Sequence, residues 1–184
     1  MGNYTKGYAL VLDVVDSRKM EVEARYALQN QIQKTCDYLN RVMASELLSK
    51  LAISAGDSVE GYFASPGAAF DAFRLFNIVL SPVKFRAGLA KGQVYSKYLI
   101  GKPNTNFVDG TAFHVARYCI EEAERSQRRF VAALDLSTDK VITDLVNFAF
   151  QQEDKMTPKQ RALNCLQNSF FDDARELMEF RVRS

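Results

Sequence analysis

Apolar residues fill the chain almost without a break from Tyr8 to Leu12, and the run then meets Asp13 and Asp16 in "YALVLDVVDSRK". A β-rich apolar stretch without alternation predicts a strand covered on both faces. From about Glu21 to Leu48 the spacing becomes helical, with Leu28, Ile32, Leu39 and Leu47 among charged and amide residues, which predicts one long amphipathic helix. "KLAISAGDSVEGYFA" changes the period to two: Leu51, Ile53 and Ala55 share a face, Gly56-Asp57 is the turn, and a strand returns through Val59 and Phe63. Ser65-Pro66 then opens a second helix that runs to the Ser81-Pro82 break. "VKFRAGLAKGQVY" alternates again, placing Phe85, Ala87 and Leu89 on one face and Lys84 and Arg86 on the other. Gly88 and Gly92 in that strand leave room for a backbone or a ligand to come close.

Residues 96–108, with Gly101, Pro103, Asn104 and Asn106, read as a loop. A helix from about Thr111 to Arg125, a strand "RFVAAL" and a helix from about Thr138 to Gln152 follow, and residues 151–155 read as a linker. The order β-α-β-β-α-β, extended by α-β-α, predicts a ferredoxin-like α+β fold: an antiparallel sheet covered by helices. The expected division is an α+β domain over 1–152 and a helical tail over 153–184. In "TPKQRALNCLQNSFFDDARELMEFRVRS" the tail carries two short helical patterns resembling the start of a helix-turn-helix. Six basic and four acidic residues from Lys155 onward make a poor footprint for DNA. A helical hairpin that packs on the sheet or forms a homodimer contact is the stronger expectation for the tail, with a DNA-contacting regulator as the alternative.

Composition narrows the partners. A chain of 184 residues that is 47% hydrophobic can bury a sizeable core, and a net charge of +2 gives no global footprint for nucleic acid or membrane. No apolar run approaches the roughly 20 residues that span a bilayer, and the N-terminus lacks a signal-peptide pattern, so a cytoplasmic protein is expected. Three scattered cysteines, Cys36, Cys119 and Cys165, indicate buried thiols rather than a disulfide framework.

The chemistry concentrates in two places. Asp13 ends the first strand and Asp57 sits at the hairpin tip, and the topology brings these carboxylates to one sheet edge. Two carboxylates suit Mg2+, which completes its shell with waters and substrate phosphate oxygens. The competing reading makes Asp57 an ordinary turn residue and Asp16 a helix cap. Glu60, three residues after Asp57, could be a third ligand but reads first as an outward hairpin residue, and Arg18, Arg86 and Lys91 read first as solvated, with Arg86 a candidate phosphate contact. The second place is "VDGTAFHVARY", where Asp109 or Thr111 would cap a helix whose N-terminus offers an anion site near Gly110. His114 and Arg117, three apart, share a face of that helix. Either they pack and pair structurally, or Arg117 neutralises phosphate and His114 donates or relays a proton.

"VLDVVDS", "KLAISAGDSVEGYF", "FRAGLAKGQV" and "DGTAFHVAR" occur in the order of the core motifs of class III nucleotidyl cyclases, and the resemblance spans about residues 8–120. The chain resembles the SatD-like bacterial family more closely, in which the D-G-x-A-[FY]-H-x-A-R helix is the most specific piece. The resemblance implies a nucleotidyl-cyclase-like fold, Asp13 and Asp57 as metal ligands for Mg2+, and Arg117 in the place of the cyclases' transition-state arginine. Joined to the reading of the residues themselves, it gives the expected site: a phosphate-bearing nucleotide held near Gly56, Arg86, Gly110 and Thr111, with Arg117 and His114 as the catalytic pair. It departs from the cyclases at Phe113, where they carry an asparagine, and near Leu51 and Ile53, where no purine-selecting lysine stands.

Overall fold

The computed structural model describes residues 3–157 and Gln160. β1 (Tyr4–Val14) leads through a short 3-10 turn into α1 (Val22–Val42), the hairpin β2 (Leu47–Ala55) and β3 (Ser58–Phe63) follows, and α2 (Pro66–Val79) returns the chain to β4 (Phe85–Tyr95). A long connection reaches α3 (Thr111–Arg125), then β5 (Phe130–Ala133) and α4 (Asp139–Lys155). The five strands lie in the order β2-β3-β1-β4-β5. All neighbours are antiparallel except β4 and β5, which run parallel. The first four strands thus form a ferredoxin-like sheet, and β5 widens it at the β4 edge.

β1 is central and buried on both faces, as its unbroken apolar run requires. Leu10, Leu12 and Val14 pack with Leu28, Ile32 and Leu39 of α1 and Phe73 and Phe76 of α2. Ala9 and Val11 face the other way, into a second core with Ala112, Phe113 and Ala116 of α3. Phe113 is fully buried there beside Tyr62, so it serves packing. The small residues on this side let α3 lie almost on the sheet. A methyl group on Gly88 would stand 2.1 Å from the Ala116 carbonyl oxygen, and one on Gly92 would stand 2.5 Å from Ala112. The close approach expected at these glycines is therefore that of α3.

Several boundaries differ from the sequence reading. α1 stops at Val42, and Leu47 and Leu48 belong to β2. Leu47 fills the core through either pattern, so the helical period runs on past the true end of the helix. Asp16 adopts a left-handed conformation before the 3-10 turn and caps nothing with its side chain, while the residue preceding α1 is Glu21. Residues 151–155, expected as a linker, are the last turn of α4. Ser65 caps α2 as expected, its hydroxyl accepting from the Ala68 N–H, with Pro66 in the first turn.

Cys36 and Cys119 are free and buried, and burial pushes their thiols up to about 12 and about 11. Among the described residues no helix is long and apolar enough to cross a membrane. The helical tail expected over 153–184, with Cys165 and the helix-turn-helix pattern, lies outside the described residues beyond Thr157, apart from Gln160.

Candidate functional site

Three strand ends and the last turn of α3 converge at one end of the sheet. β3 pairs with β1 so that Val59 stands opposite Leu12, and the Ser58 hydroxyl donates to the Leu12 carbonyl at 3.0 Å. That register carries the turn residue Asp57 to the end of β1, where Asp13 lies. Gly56 takes a φ of +61°, which glycine adopts without strain, and Gln29 of α1 donates to its carbonyl at 3.1 Å. The tip is thus tied to the helix that follows β1.

Across the other edge of β1, Asp13 is the register partner of Arg86 on β4. The Arg86 Nη1 lies 3.7 Å from Asp13 Oδ2 and 3.4 Å from Glu124 Oε1, so one guanidinium stands between a β1 carboxylate and an α3 carboxylate. The Arg86 side chain is only 12% exposed, well inside the solvated position expected from alternation. Both sheet faces are covered here, so a residue on the non-apolar face still points into the protein.

Two polar atoms at this end are buried and lack a hydrogen-bond partner among the described residues: Asp57 Oδ2 and Arg86 Nε. Burial, first, and the Asp57 charge, second, raise the Asp13 carboxyl above its ordinary value, Glu124 adds to the rise, and Arg86 opposes it. A buried carboxylate oxygen without a donor, beside a second carboxylate that resists ionisation, is a site short of positive charge. The sign for stability follows directly. Folded Asp13 holds its proton more firmly than unfolded Asp13, so metal-free protein should lose stability as pH rises from the ordinary carboxyl value of 3.8 through the raised folded value. Asp13→Asn should flatten that part of the pH profile, as read by thermal melts in chelator from pH 3.5 to 7. An unchanged slope would mean that Asp13 is not strained by its neighbours.

A second polar arrangement lies two residues along β1. Glu60, opposite Val11, is 4% exposed rather than outward, because its side of β3 faces α3. Arg117 reaches down from α3 and grips it with a two-pronged fork, Nε to Oε1 and Nη2 to Oε2, both at 2.9 Å. The Glu60 hydrogen bond is the main cause that raises the Arg117 guanidinium further above its ordinary value. The Arg117 side chain remains 43% exposed.

The remaining sequence candidates lie elsewhere. α3 runs antiparallel to β4, so its start bridges Val94, the neighbour of Thr5, while its end reaches Arg86. Eight residues of strand separate Thr5 from Asp13, about 26 Å at ordinary strand rise. Gly110 and Thr111 are therefore at the far end of the sheet from the carboxylates, and a single chain does not enclose one small ligand between them. A methyl group on Gly110 would stand 2.2 Å from the Gln93 carbonyl oxygen, and the Thr111 hydroxyl accepts from the Gln93 N–H at 3.0 Å. Both residues fasten α3 to β4, and neither Asp109 nor Thr111 caps the helix as expected. The Asp109 carboxylate accepts from the Gly110 N–H at 2.8 Å and lies 3.4 Å from His114, which is largely exposed. Lys91 stands 4.0 Å from Asp135.

The structure brings Asp13 and Asp57 to one end of the sheet, beside Arg86, which the sequence reads first as solvated. The sequence reading does not find Glu124, and it puts Glu60 first at an outward position. Glu124 could have been found, since it follows Arg117 by seven residues on one helical stripe.

The model of the SatD family matches residues 8–167, from the first residue of the β1 apolar run to beyond α4. The chain belongs to the SatD family. No curated protein matches it. Among solved structures, this SatD-family chain is similar to a bacterial light-regulated adenylyl cyclase at 13% identity and a TM-score of 0.49, over 72% of this chain and 44% of the other. It is also similar to the catalytic core of a rhodopsin-guanylyl cyclase in complex with ATPαS (11%, 0.45, over 64% and 72%) and to the guanylyl cyclase Cya2 (13%, 0.40, over 66% and 72%). The chain spans less than half the length of the light-regulated enzyme.

Proposed function

We propose that this SatD-family chain is a nucleotide-binding domain that takes up a nucleoside phosphate together with Mg2+ at the Asp13/Asp57 end of the sheet. The observation that carries the proposal is the Asp57 carboxylate, one oxygen buried without a donor and its charge felt by Asp13. The donor set fits Mg2+ better than a softer or more heavily ligated ion. Among the described residues no group of three or more His, Cys, Asp or Glu could hold a metal, and two hard carboxylates with room for waters and phosphate oxygens are what Mg2+ accepts. When bound, the ion would neutralise phosphate charge and polarise the phosphorus–oxygen bonds.

The chain's own residues divide the remaining work. Arg86, now drawn between Asp13 and Glu124, would turn toward a phosphate once a cation satisfies Asp13. Gly56 keeps the hairpin tip free of a side chain beside the ligand. Arg117 has two nitrogens committed to Glu60, which fixes the guanidinium plane and leaves its exposed edge for an anion. Nucleotidyl or phosphoryl transfer is the chemistry such a site would support, with Arg117 at the developing charge; Gly110 and Thr111 lie too far from Asp13 to share that ligand within one chain. The motif resemblance to class III nucleotidyl cyclases supports the same reading.

Titration calorimetry with ATP, GTP, CTP and UTP, with and without Mg2+, tests the proposal. Binding of at least one nucleotide in the presence of Mg2+ is expected, weakened by more than about tenfold when one ligand is lost in Asp13→Asn. No heat with any of the four, at concentrations up to the millimolar range, would end the proposal.

A further inference from the structure

Arg86 is held between two carboxylates and satisfied by neither. Its Nη1 lies 3.7 Å from Asp13 Oδ2 and 3.4 Å from Glu124 Oε1, both beyond ordinary hydrogen-bond length, and its Nε is buried without a partner among the described residues. The two anchors are unequal. Asp13 stands on the central strand as the register partner of Arg86, whereas the Glu124 side chain, on the last turn of α3, is 70% exposed. Rigid elements bring Glu124 there. Gly88 lets α3 touch β4 at Ile120. One helical turn beyond Ile120 advances about 5.4 Å to Glu124, and two residues back along β4 cover about 6.6 Å to Arg86.

A cation at Asp13 changes the balance. It would stand within a few ångströms of the guanidinium, and like charges that close repel. Arg86 has little water to withdraw into, because its side chain is 12% exposed. Among the described residues Glu124 is the other carboxylate within 4 Å of it.

We propose that Glu124 is a positioning residue of the cation site: it receives Arg86 when Mg2+ takes Asp13, and so sets how strongly the ion binds. The inference rests on the Asp13/Asp57 reading given above. The movement it needs is small, since Nη1 is already nearer Glu124 than Asp13. A phosphate that follows the ion would then draw Arg86 from a solvated partner rather than from a metal ligand.

A double-mutant cycle tests it, read as Mg2+ affinity by calorimetry and by melting temperature, without nucleotide. Glu124→Gln alters an exposed position and keeps its size. With Arg86 present it should weaken Mg2+ binding about tenfold, the lower end of the range for residues that support metal ligands. In the Arg86→Gln background the same change should cost less than about threefold, the direct pull of one screened, exposed carboxylate. Arg86→Gln alone should bind Mg2+ more tightly than the wild type. Equal losses in the two backgrounds would overturn the proposal and leave the cation site standing, whereas no Mg2+ response in the wild type would overturn both. Should Arg86→Gln fail to fold, NMR of the wild type and Glu124→Gln decides. The Arg86 Nε–H signal of the wild type should move over the Mg2+ range that raises the melting temperature, and should move less in Mg2+-saturated Glu124→Gln. A signal that stays still, or that moves equally in both, would overturn the proposal.

Discussion

Gly88→Ala is expected to destabilise the protein by about 3 kcal/mol, the upper end of ordinary overpacking costs. The added methyl would meet the Ala116 carbonyl oxygen at 2.1 Å and the Ile120 nitrogen at 2.7 Å, both backbone atoms of α3. No rotamer change can relieve such a contact, so the helix must lift from the sheet. Lifting it breaks the second core around Ala9, Val11 and Phe113 and withdraws Glu124 and Arg117 from Arg86 and Glu60. Gly67→Ala is the control, because nothing lies within 4 Å of its added methyl and the position is in the first turn of α2. It should change stability by less than about 0.5 kcal/mol. Equal losses in the two variants, by denaturant unfolding, would mean that the approach of α3 to β4 is not the constraint.

Arg117→Leu should cost about 2 kcal/mol, less than the 3–5 typical of breaking a fully buried pair because Arg117 is partly solvated. The loss falls on Glu60, which stays buried on β3 with both oxygens stripped of their donors. Glu60→Leu leaves Arg117 free to reach water and should cost about 1 kcal/mol or less. Restoring balance by removing both charges, in Glu60→Leu/Arg117→Leu, should bring stability back near the wild type. Additive losses in that double variant would show that the two side chains act independently and that the fork contributes nothing to either.

These two pairs of residues show where sequence pattern carries information and where it stops. The central strand was legible because Tyr8 to Leu12 are apolar without alternation, and the hairpin because Gly56-Asp57 interrupts a period of two. The end of α1 was not, since "MASE" contains no glycine or proline and Leu47 fits both the helical and the strand pattern. Glu60 was misread for a different reason. Alternation assigns a charged strand residue to solvent, yet α3 covers that face, and the charge is tolerated there only because Arg117, 57 residues later, satisfies it. Pairings of that range leave no local trace. The glycines of "RAGLAKG" announced a close approach correctly, without saying that α3 was what approached.

The separation between Gly110 and Asp13 likewise comes from chain direction, which motifs cannot show. Both motifs were recognisable in the sequence, and their order suggested one enclosing site. The antiparallel course of α3 over β4 places its start and its end at opposite ends of the sheet. Arg117 falls in between, nearer the carboxylates.

Melting curves of the wild type and Asp57→Asn across a Mg2+ titration at constant ionic strength bear on the central claim most directly. Asparagine keeps the size of the side chain and suits a hairpin turn, so the substitution removes charge and little else. With Asp13 and Asp57 as the cation site, Mg2+ should raise the melting temperature of the wild type by linkage, and metal-free Asp57→Asn should melt at or above the metal-free wild type. The variant should then show no response to Mg2+. An equal Mg2+-dependent rise in both proteins, or none in the wild type, would contradict the account and return Asp57 to the role of a turn residue.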